Sequence, residues 1–346
     1  MRRSVPARVK RQVLFFALLA VILGASAQSF LYRYYLVLMP GLTLDLSKIV
    51  TVEEGIKDSA GKFLLTSVSS QPATPISLIY AAFSPATDIV PKSQEIPPGI
   101  DMERYLRIMK NLMEESQMIA QAVALKRLGY SVKMEAQVKV EDLLPGSPAK
   151  DKVMAGDIIL AVDAKRVRTA QEAIDIIQDR KVGQDVMLTL VREGRVITTR
   201  VATIPRREDR MKAAIGVLIS PYIKYEFPVK IKMDALDIRG SSAGIMFCLE
   251  VLDQLTARDL TKGHVIAGTG TLDIDGRVGP IAGVRQKVKA AERAGAEYFL
   301  VPRQNSAEAR EAGARIKIVP IGSLDDALKF LDEIPGRKTR GDGESM

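Results

Sequence analysis

An apolar segment near the amino terminus places the strongest constraint on how this chain can fold. Residues 13–27 are all apolar or small, and five arginines and lysines precede them within residues 1–12. A membrane-spanning helix needs ~20 residues, and tyrosines gather at membrane interfaces, as Tyr32 and Tyr34 would here. Cationic residues are retained on the cytoplasmic side. We therefore predict a cytoplasmic basic segment at 1–12, a transmembrane anchor at 13–33 and an extracytoplasmic remainder.

A cleaved signal peptide is the alternative for the same segment. Ala25-Ser26-Ala27 has the small-x-small pattern of a cleavage site. The aromatic residues beyond it favour an uncleaved anchor. Both interpretations export the rest of the chain. We expect a single-pass protein of the cell membrane with a cytoplasmic amino terminus.

The composition of the whole chain is that of a folded protein. Charged residues make up 26% and hydrophobic residues 47% of the 346 residues, enough for one large core or two moderate ones. Five of the nine net positive charges lie in residues 1–12, so we predict no nucleic-acid binding. The polar tail at 336–346 is predicted to be disordered.

The residue types available restrict the catalytic chemistry. The chain has one histidine, His264, and one cysteine, Cys248, which lies on an apolar helical face and is predicted to be core packing. A serine nucleophile needs a base, and a lysine can serve when burial lowers its pKa. Ser242 stands in an Arg-Gly-Ser-Ser-Ala-Gly-Ile run, and Lys287 follows 45 residues later. These counts favour a Ser/Lys pair over a histidine-based triad.

The local patterns place both residues on helices. Ser242 precedes apolar residues with helical spacing, so backbone N–H groups at that helix start could stabilise an oxyanion. Lys287 lies on a predicted helix at 284–291, and residues 265–271 and 277–279 between them predict a hairpin. Taken alone, a Gly-Ser-Ser-Ala-Gly run is more often a helix cap than a catalytic site, and a single lysine is usually a solvated charge.

The segment 240–302 resembles the proteolytic domain of the Lon protease family. That family has a Gly-Pro-Ser-Ala-Gly motif and a lysine after a Pro-Ile-Gly-Gly stretch. The resemblance implies Ser242 as nucleophile, Lys287 as its base and Thr269 as a supporting residue that orients the lysine. The sequence departs from the family pattern at Ser241, in place of proline, and at Arg239, in place of aspartate.

A second unit, in the middle of the chain, resembles bacterial PDZ domains. The resemblance rests on the segment 144–163, a predicted helix at 170–178, a strand at 185–192 and a hairpin at Glu193-Gly194. It implies binding of an extended peptide that adds a strand to a sheet edge. The segment 129–132 is the only candidate for a glycine-containing carboxylate loop that we identify. A spacer or gate role is the alternative.

The segments before and after this unit suggest a split domain. We predict strands at 61–69, 76–83 and 229–235 and a long helix at 101–128. This helix resembles the first helix of the Lon domain. The predicted fold is α+β: a Lon-type proteolytic domain at 42–130 and 211–335, split by a PDZ domain at 131–205, after one transmembrane helix. The charged segment 205–210 is the predicted exit linker.

We predict no cofactor and no metal. The chain has no phosphate-binding Walker A loop, and the run at 273–276 lacks the later acidic ligand of a calcium loop. The expected function is that of an ATP-independent serine endopeptidase that cleaves extracytoplasmic peptides or flexible proteins, with the PDZ domain assisting substrate selection. The family resemblance also implies a homo-oligomeric ring. The alternatives are a non-catalytic PDZ adaptor on a Lon-like scaffold and a secreted soluble protease.

Overall fold

The computed structural model describes residues 7–56, 60–97, 100–207, 209–235 and 238–337, and the chain divides into two compact units. The split unit comprises the chain up to Tyr130 and again from Val229 onward, and the inserted unit comprises Ser131–Pro228. Most of the tail that we predicted to be disordered, and half of the predicted basic segment, lie outside the described residues. The predicted α+β class is confirmed.

The split unit begins with a long apolar helix. Its helices are α1 (Ala7–Tyr34), α2 (Pro75–Phe83), α3 (Lys92–Glu95), α4 (Met102–Arg127), α6 (Gly244–Leu255), α7 (Val284–Arg293), α8 (Ser306–Glu311) and α9 (Leu324–Glu333). The part of α1 from Leu14 to Tyr34 has 21 residues, a mean hydropathy of 2.1 and no buried portion. At 1.5 Å per residue it is about 30 Å long, the thickness of a bilayer core. Its length and composition suit a membrane span, and they suit a signal sequence equally well.

A six-stranded mixed sheet organises the split unit. The strands of the unit, six of which form this sheet, are β1 (Tyr35–Asp45), β2 (Val50–Val52), β3 (Lys62–Pro72), β4 (Asp88–Pro91), β13 (Ile231–Met233), β14 (Val265–Gly268), β15 (Thr271–Leu272), β16 (Val278–Gly279), β17 (Tyr298–Pro302) and β18 (Lys317–Ile321). The sheet order is β18-β17-β14-β3-β1-β4, with β4 and β18 at opposite edges. The strands from β18 to β3 are parallel, whereas β1 runs antiparallel to both neighbours.

Helix α6 forms the centre of the core of the split unit. Its residues from Ile245 to Leu249 are fully buried, together with Phe63 of β3 and Ala120 and Ala124 of α4. A helical segment that is apolar on all sides, as Ile245 to Leu249 is, has to be enclosed by other elements. Because α6 is fixed in this way, the residues at its amino-terminal end have well-defined positions.

Helix α4 matches its prediction closely. The Asp101 carboxylate accepts a hydrogen bond from the Arg104 N–H at 2.8 Å and caps the helix. The chain turns at Gly129, where φ is 83°. The predicted strand at 229–235 is also present, as the shorter strand β13 paired with β2.

The prediction of a strand at 76–83 is wrong. These residues form helix α2, because Thr74 and Ser77 make a reciprocal capping box and Pro75 occupies the first turn. A short apolar run fits a strand or a helix equally well, so the capping residues decide. The helix has no buried residue.

The predicted hairpin at 265–279 is only partly correct. Its second half is present, because β15 pairs with β16 around Asp275-Gly276. The first half, β14, instead lies inside the large sheet, parallel to β3 and β17. Residues 266–268 are buried, as expected for a strand covered on both faces.

The inserted unit is a six-stranded sheet packed on one helix. Its elements are β5 (Lys133–Leu143), β6 (Ile158–Val162), β7 (Lys165–Arg166), α5 (Ala170–Gln178), β8 (Asp185–Arg192), β9 (Arg195–Ala202), β10 (Ile204–Pro205), β11 (Ala213–Ala214) and β12 (Val217–Glu226). The sheet order is β12-β5-β6-β8-β9, and the short strand β7 also pairs with β6. The bounds of α5 and β8 are those predicted, and β8 and β9 form the predicted hairpin.

The inserted unit extends further than the predicted 131–205. Strand β12 pairs with β5 from Val217 opposite Leu143 to Glu226 opposite Lys133, so residues after the predicted linker complete this sheet. Within the segment 204–214, β10 and β11 also pair with each other. The physical reason is that β5 needs a partner along its whole length. In the structure the return to the split unit therefore comes at Val229, not at 211.

Candidate active site

Ser242 lies two residues before α6, where the chain enters the core. Its carbonyl oxygen accepts hydrogen bonds from the Gly270 N–H at 2.8 Å and from the Thr269 hydroxyl at 2.9 Å. The Ser116 hydroxyl donates to the Ser241 carbonyl at 3.1 Å. These three bonds tie the backbone around Ser242 to β14 and α4. The Ser242 side chain is therefore held in a fixed position at the helix start.

Lys287 lies in the first turn of α7. The helix begins after Gly283, which has φ of 70°, a conformation that favours glycine. A Cβ atom at Gly283 would also come within 2.6 Å of Val68 Cγ2. Only glycine fits this turn without rearrangement, and the turn sets the direction of the lysine side chain.

Asp88 of β4 joins α7 to the edge of the large sheet. Its two carboxylate oxygens accept hydrogen bonds from the Arg285 guanidinium and from the Gln286 amide, the latter at 2.7 Å. Gln286 is buried. Both donors directly precede Lys287. The start of α7 is therefore held by the turn at Gly283 and by these bonds to β4.

The start of α6, the end of β14 and the first turn of α7 bring the three predicted site residues together. Lys287 Nζ lies 2.6 Å from Ser242 Oγ and 3.1 Å from Thr269 Oγ1. The Thr269 hydroxyl accepts from the lysine while it donates to the Ser242 carbonyl. Thr269 therefore connects both partners and orients the amine toward the serine.

Burial changes the acidity of Lys287. The residue is 4% exposed, and desolvation of its ammonium group lowers its pKa from 10.5 to about 8. No opposite charge in the part of the chain that the structure describes offsets this effect. An appreciable fraction of the lysine is consequently neutral near physiological pH, and a neutral amine can accept the serine proton.

The start of α6 provides the other element that acyl transfer needs. The first N–H groups of a helix have no partner within the helix and carry the positive end of its dipole. In α6 these groups come directly after Ser242, and the Ile245 N–H already donates to the Gly270 carbonyl at 3.3 Å. The N–H groups between Ser242 and Ile245 are the candidate donors for the oxygen of a tetrahedral intermediate.

The other reactive side chains have different roles. The His264 Nδ1 atom lies 2.8 Å from the Glu297 carboxylate and its Nε2 atom 2.8 Å from the Pro335 carbonyl, so both ring nitrogens are occupied there. Cys248 is buried in the core, and burial raises the pKa of its thiol. This is the core-packing role predicted for Cys248. Arg239 is exposed.

Within the described ranges, no three His, Cys, Asp or Glu side chains are placed together to hold a metal ion. The acidic residues of the run at 273–276 are instead used internally. Asp273 accepts hydrogen bonds from the Arg277 side chain and backbone, and these bonds lower its pKa against the opposing effect of burial. The run is a turn, as predicted.

A second candidate site is an apolar cavity in the inserted unit. It has a volume of about 320 Å³ and lies between α5 and the chain at 213–219. Ile174 and Ile177 of α5 contribute one wall. The strand on the other side, β12, is at the sheet edge, paired with β5 on one side only. A groove between a helix and an edge strand can accept an extended peptide as an additional strand.

The predicted carboxylate loop at 129–132 does not line this cavity. The glycine next to the cavity is Gly216, in an Ala-Ile-Gly-Val run, with φ of 68°. Ser147 fixes this loop, since its hydroxyl donates to the Ile215 carbonyl at 2.9 Å. Sequence reasoning missed the loop because it lies beyond the predicted end of the unit. The apolar residues Ile215, Val217, Leu218 and Ile219 were the available signal.

Comparisons with known proteins identify two domains in the chain. Residues 208–331 match the family model of the Lon protease (S16) C-terminal proteolytic domain, and residues 126–203 match the PDZ domain model. The chain therefore contains a Lon-type serine peptidase domain that follows a PDZ domain. The first of these matches begins inside the inserted unit, before β11 and β12.

Individual relatives cover smaller parts of the chain. A Lon protease 1 from Myxococcus xanthus is 35% identical over 140 residues, 38% of this chain and 17% of that protein. A Lon protease from Desulfosudis oleivorans is 35% identical over 94 residues, 27% of this chain. The chain spans only 11% of the latter. The PDZ domain of an SdrC-like protein from Listeria innocua aligns with 24% of this chain and 92% of that domain at 25% identity, with a TM-score of 0.23.

Proposed function

We propose that this protein is a membrane-anchored serine endopeptidase whose catalytic pair is Ser242 and Lys287. The observation that carries the proposal is the 2.6 Å contact between Lys287 Nζ and Ser242 Oγ, made by a lysine whose pKa burial lowers to about 8. A base within hydrogen-bond reach of a hydroxyl nucleophile is the arrangement that acyl transfer requires.

The reaction proceeds in two halves. Neutral Lys287 takes the proton of the Ser242 hydroxyl while Oγ attacks the scissile carbonyl carbon, and the N–H groups at the start of α6 stabilise the resulting oxyanion. The lysine then gives its proton to the leaving amine, and an acyl-enzyme remains. A water molecule, deprotonated by Lys287, attacks the ester and releases the second product and the free serine. Thr269 keeps the lysine amine directed at Oγ throughout.

The proposed substrates are extracytoplasmic peptides and unfolded or flexible proteins. The 346 residues carry no Walker A loop, so this chain supplies no nucleotide-driven unfolding of its own. Helix α1 is the proposed anchor, with the catalytic residues outside the membrane, as the positive charges before it favour. Assembly into a homo-oligomer belongs to the same proposal and is tested by sedimentation in detergent.

The groove of the inserted unit is the proposed site of substrate selection. Its apolar walls and the edge strand β12 suit a polypeptide end with apolar side chains. Arg206 and Arg207 line the same cavity and suit a terminal carboxylate. Peptides with a free carboxyl terminus should therefore bind more tightly than the same peptides with an amidated terminus.

The decisive experiment compares two adjacent serines in the detergent-solubilised full chain. Ser242→Ala should abolish labelling by a fluorophosphonate probe and cleavage of an unfolded polypeptide, a loss of about 10³-fold or more. Ser241→Ala is the matched control and should retain measurable activity. Normal activity of Ser242→Ala would overturn the proposal. An unlabelled, inactive wild-type chain that still binds peptides would identify a PDZ adaptor instead.

A further inference from the structure

Helix α2 is an anomaly in the split unit, because an apolar helix is normally covered by other elements. Eight of its nine residues are apolar, and none of the nine is charged. None of them is buried: Ile76, Ile79 and Phe83 are 79%, 64% and 84% exposed. The one polar residue, Ser77, is used in the capping box. The helix therefore presents a continuous apolar surface outside the core.

The position of α2 relates this surface to the end of α1. Tyr35 is the first residue after α1, and its carbonyl accepts a hydrogen bond from the Ala73 N–H, just before α2, at 3.0 Å. The chain after α2 returns to the same place, because Pro91 of β4 is also paired with Tyr35. Helices α1 and α2 are in contact. Helix α2 therefore lies at the level where α1 ends.

The groups around this point are those found at membrane interfaces. The Lys92 ammonium lies 5.3 Å from the centre of the Tyr32 ring, and the Arg33 guanidinium lies 5.7 Å from the Tyr34 ring. Aromatic rings and long cationic side chains collect at the headgroup level of a bilayer. At nine residues α2 is about 14 Å long, too short to cross a hydrocarbon core of about 30 Å. A short apolar segment of this kind suits the interfacial layer.

We propose that α2 is a second membrane-contacting element, which lies in the interface of the outer leaflet beside α1. The occupant of its apolar surface is lipid, because the surface continues from the exposed apolar surface of α1. Two contacts at one membrane face restrict the rotation of the split unit about α1. Asp88 follows α2 closely, and its hydrogen bonds join β4 to α7. The membrane contact of α2 would therefore also tie the start of α7 to the membrane-facing edge of the sheet. The proposal rests on the proposed anchoring by α1.

The chain has no tryptophan, so one introduced tryptophan reports its own surroundings. Three full-chain variants, Phe83→Trp in α2, Leu23→Trp in α1 and Lys329→Trp in α9, are reconstituted into phosphatidylcholine–phosphatidylglycerol vesicles that contain lipid brominated either near the headgroup or near the bilayer centre. Lys329 is the matched control, because its side chain is 77% exposed and α9 contacts β18, the opposite edge of the sheet from β4. Five strand spacings separate these edges by about 24 Å.

Phe83→Trp should lose fluorescence, and the loss should be greater with bromine near the headgroup than with bromine near the bilayer centre. Leu23→Trp should show the opposite depth preference. Lys329→Trp should lose no fluorescence. Quenching of Leu23→Trp without quenching of Phe83→Trp would overturn the inference and leave the anchoring intact. Self-association that is lost in Ile79→Asn would then identify a second copy of the chain as the occupant. Absence of quenching in both α1 and α2 would overturn the anchoring as well. Equal quenching of all three variants would show general adsorption and also overturn the inference.

Discussion

The proposed catalytic pair and the groove of the inserted unit are built in different ways. The pair depends on a few polar side chains held by short hydrogen bonds, with Lys287 almost fully buried. The groove depends on a backbone edge and apolar walls, with an open cavity of about 320 Å³. The difference suggests that the residues of the pair tolerate almost no substitution, whereas peptide recognition in the groove is spread over many contacts. Substitutions in the two places should therefore differ in size and in the substrates they affect.

The largest effect is expected for Lys287→Arg. A guanidinium stays protonated throughout the working pH range and cannot accept the serine proton, so activity should fall by about 10³-fold. In the proposed mechanism the active form has a neutral Lys287, and burial lowers the pKa of this lysine to about 8. The rate should therefore rise tenfold per pH unit below about 8 and level off above it. An active Lys287→Arg enzyme would exclude the Ser/Lys mechanism.

The same burial predicts a cost in stability at the catalytic pair. The pKa of Lys287 is about 8 in the folded state and 10.5 ordinarily, so the folded state binds the proton more weakly than the unfolded state does. The folded state is therefore disfavoured below about pH 8, and it recovers stability as the pH rises toward 10.5. Lys287→Met removes this penalty, which corresponds to at most about 3 kcal/mol. Denaturant unfolding at pH 7 should show a higher free energy of unfolding for Lys287→Met, and the gain should shrink at pH 10. A gain independent of pH would mean that packing, and not charge, is responsible.

A smaller and more selective effect is expected in the groove. Ile174→Glu places a charge on its apolar wall and should reduce cleavage of a protein substrate by about tenfold, the effect of about 1.4 kcal/mol of lost binding. Hydrolysis of a short unstructured peptide should be unchanged. Gln171→Glu, one turn earlier on α5 and exposed, is the control. Equal loss for both substrates would mean that the inserted unit supports the stability of the catalytic domain and does not select substrates.

The sequence predicted those parts of the molecule in which individual residue types are decisive. One histidine and one cysteine left little choice of base, and the Asp101 cap and the hairpin at Glu193-Gly194 carry unambiguous local signals. The prediction of a strand failed at α2, where the apolar run fits a strand or a helix and the local capping box at Thr74 and Ser77 decides. It failed at β14 because the strands that enclose β14 are distant in sequence and no local pattern reveals them. Strand β12 was misassigned because a charged, proline-containing segment resembled a domain boundary.

The smallest effect is expected for Arg239, the residue at which the sequence departs from the family aspartate. Had its charge faced the catalytic pair, like-charge repulsion would have contributed to the low pKa of Lys287. Arg239 is exposed, and burial alone accounts for the shift. Arg239→Asp should therefore leave the rising limb of the pH–rate profile in place, with a change in rate of less than about twofold, since exposed charges interact weakly through solvent. A limb displaced to higher pH would show that the guanidinium acts on the lysine during catalysis. The active site would then depend on an exposed charge, and the contrast between a closed catalytic pair and an open groove would have to be abandoned.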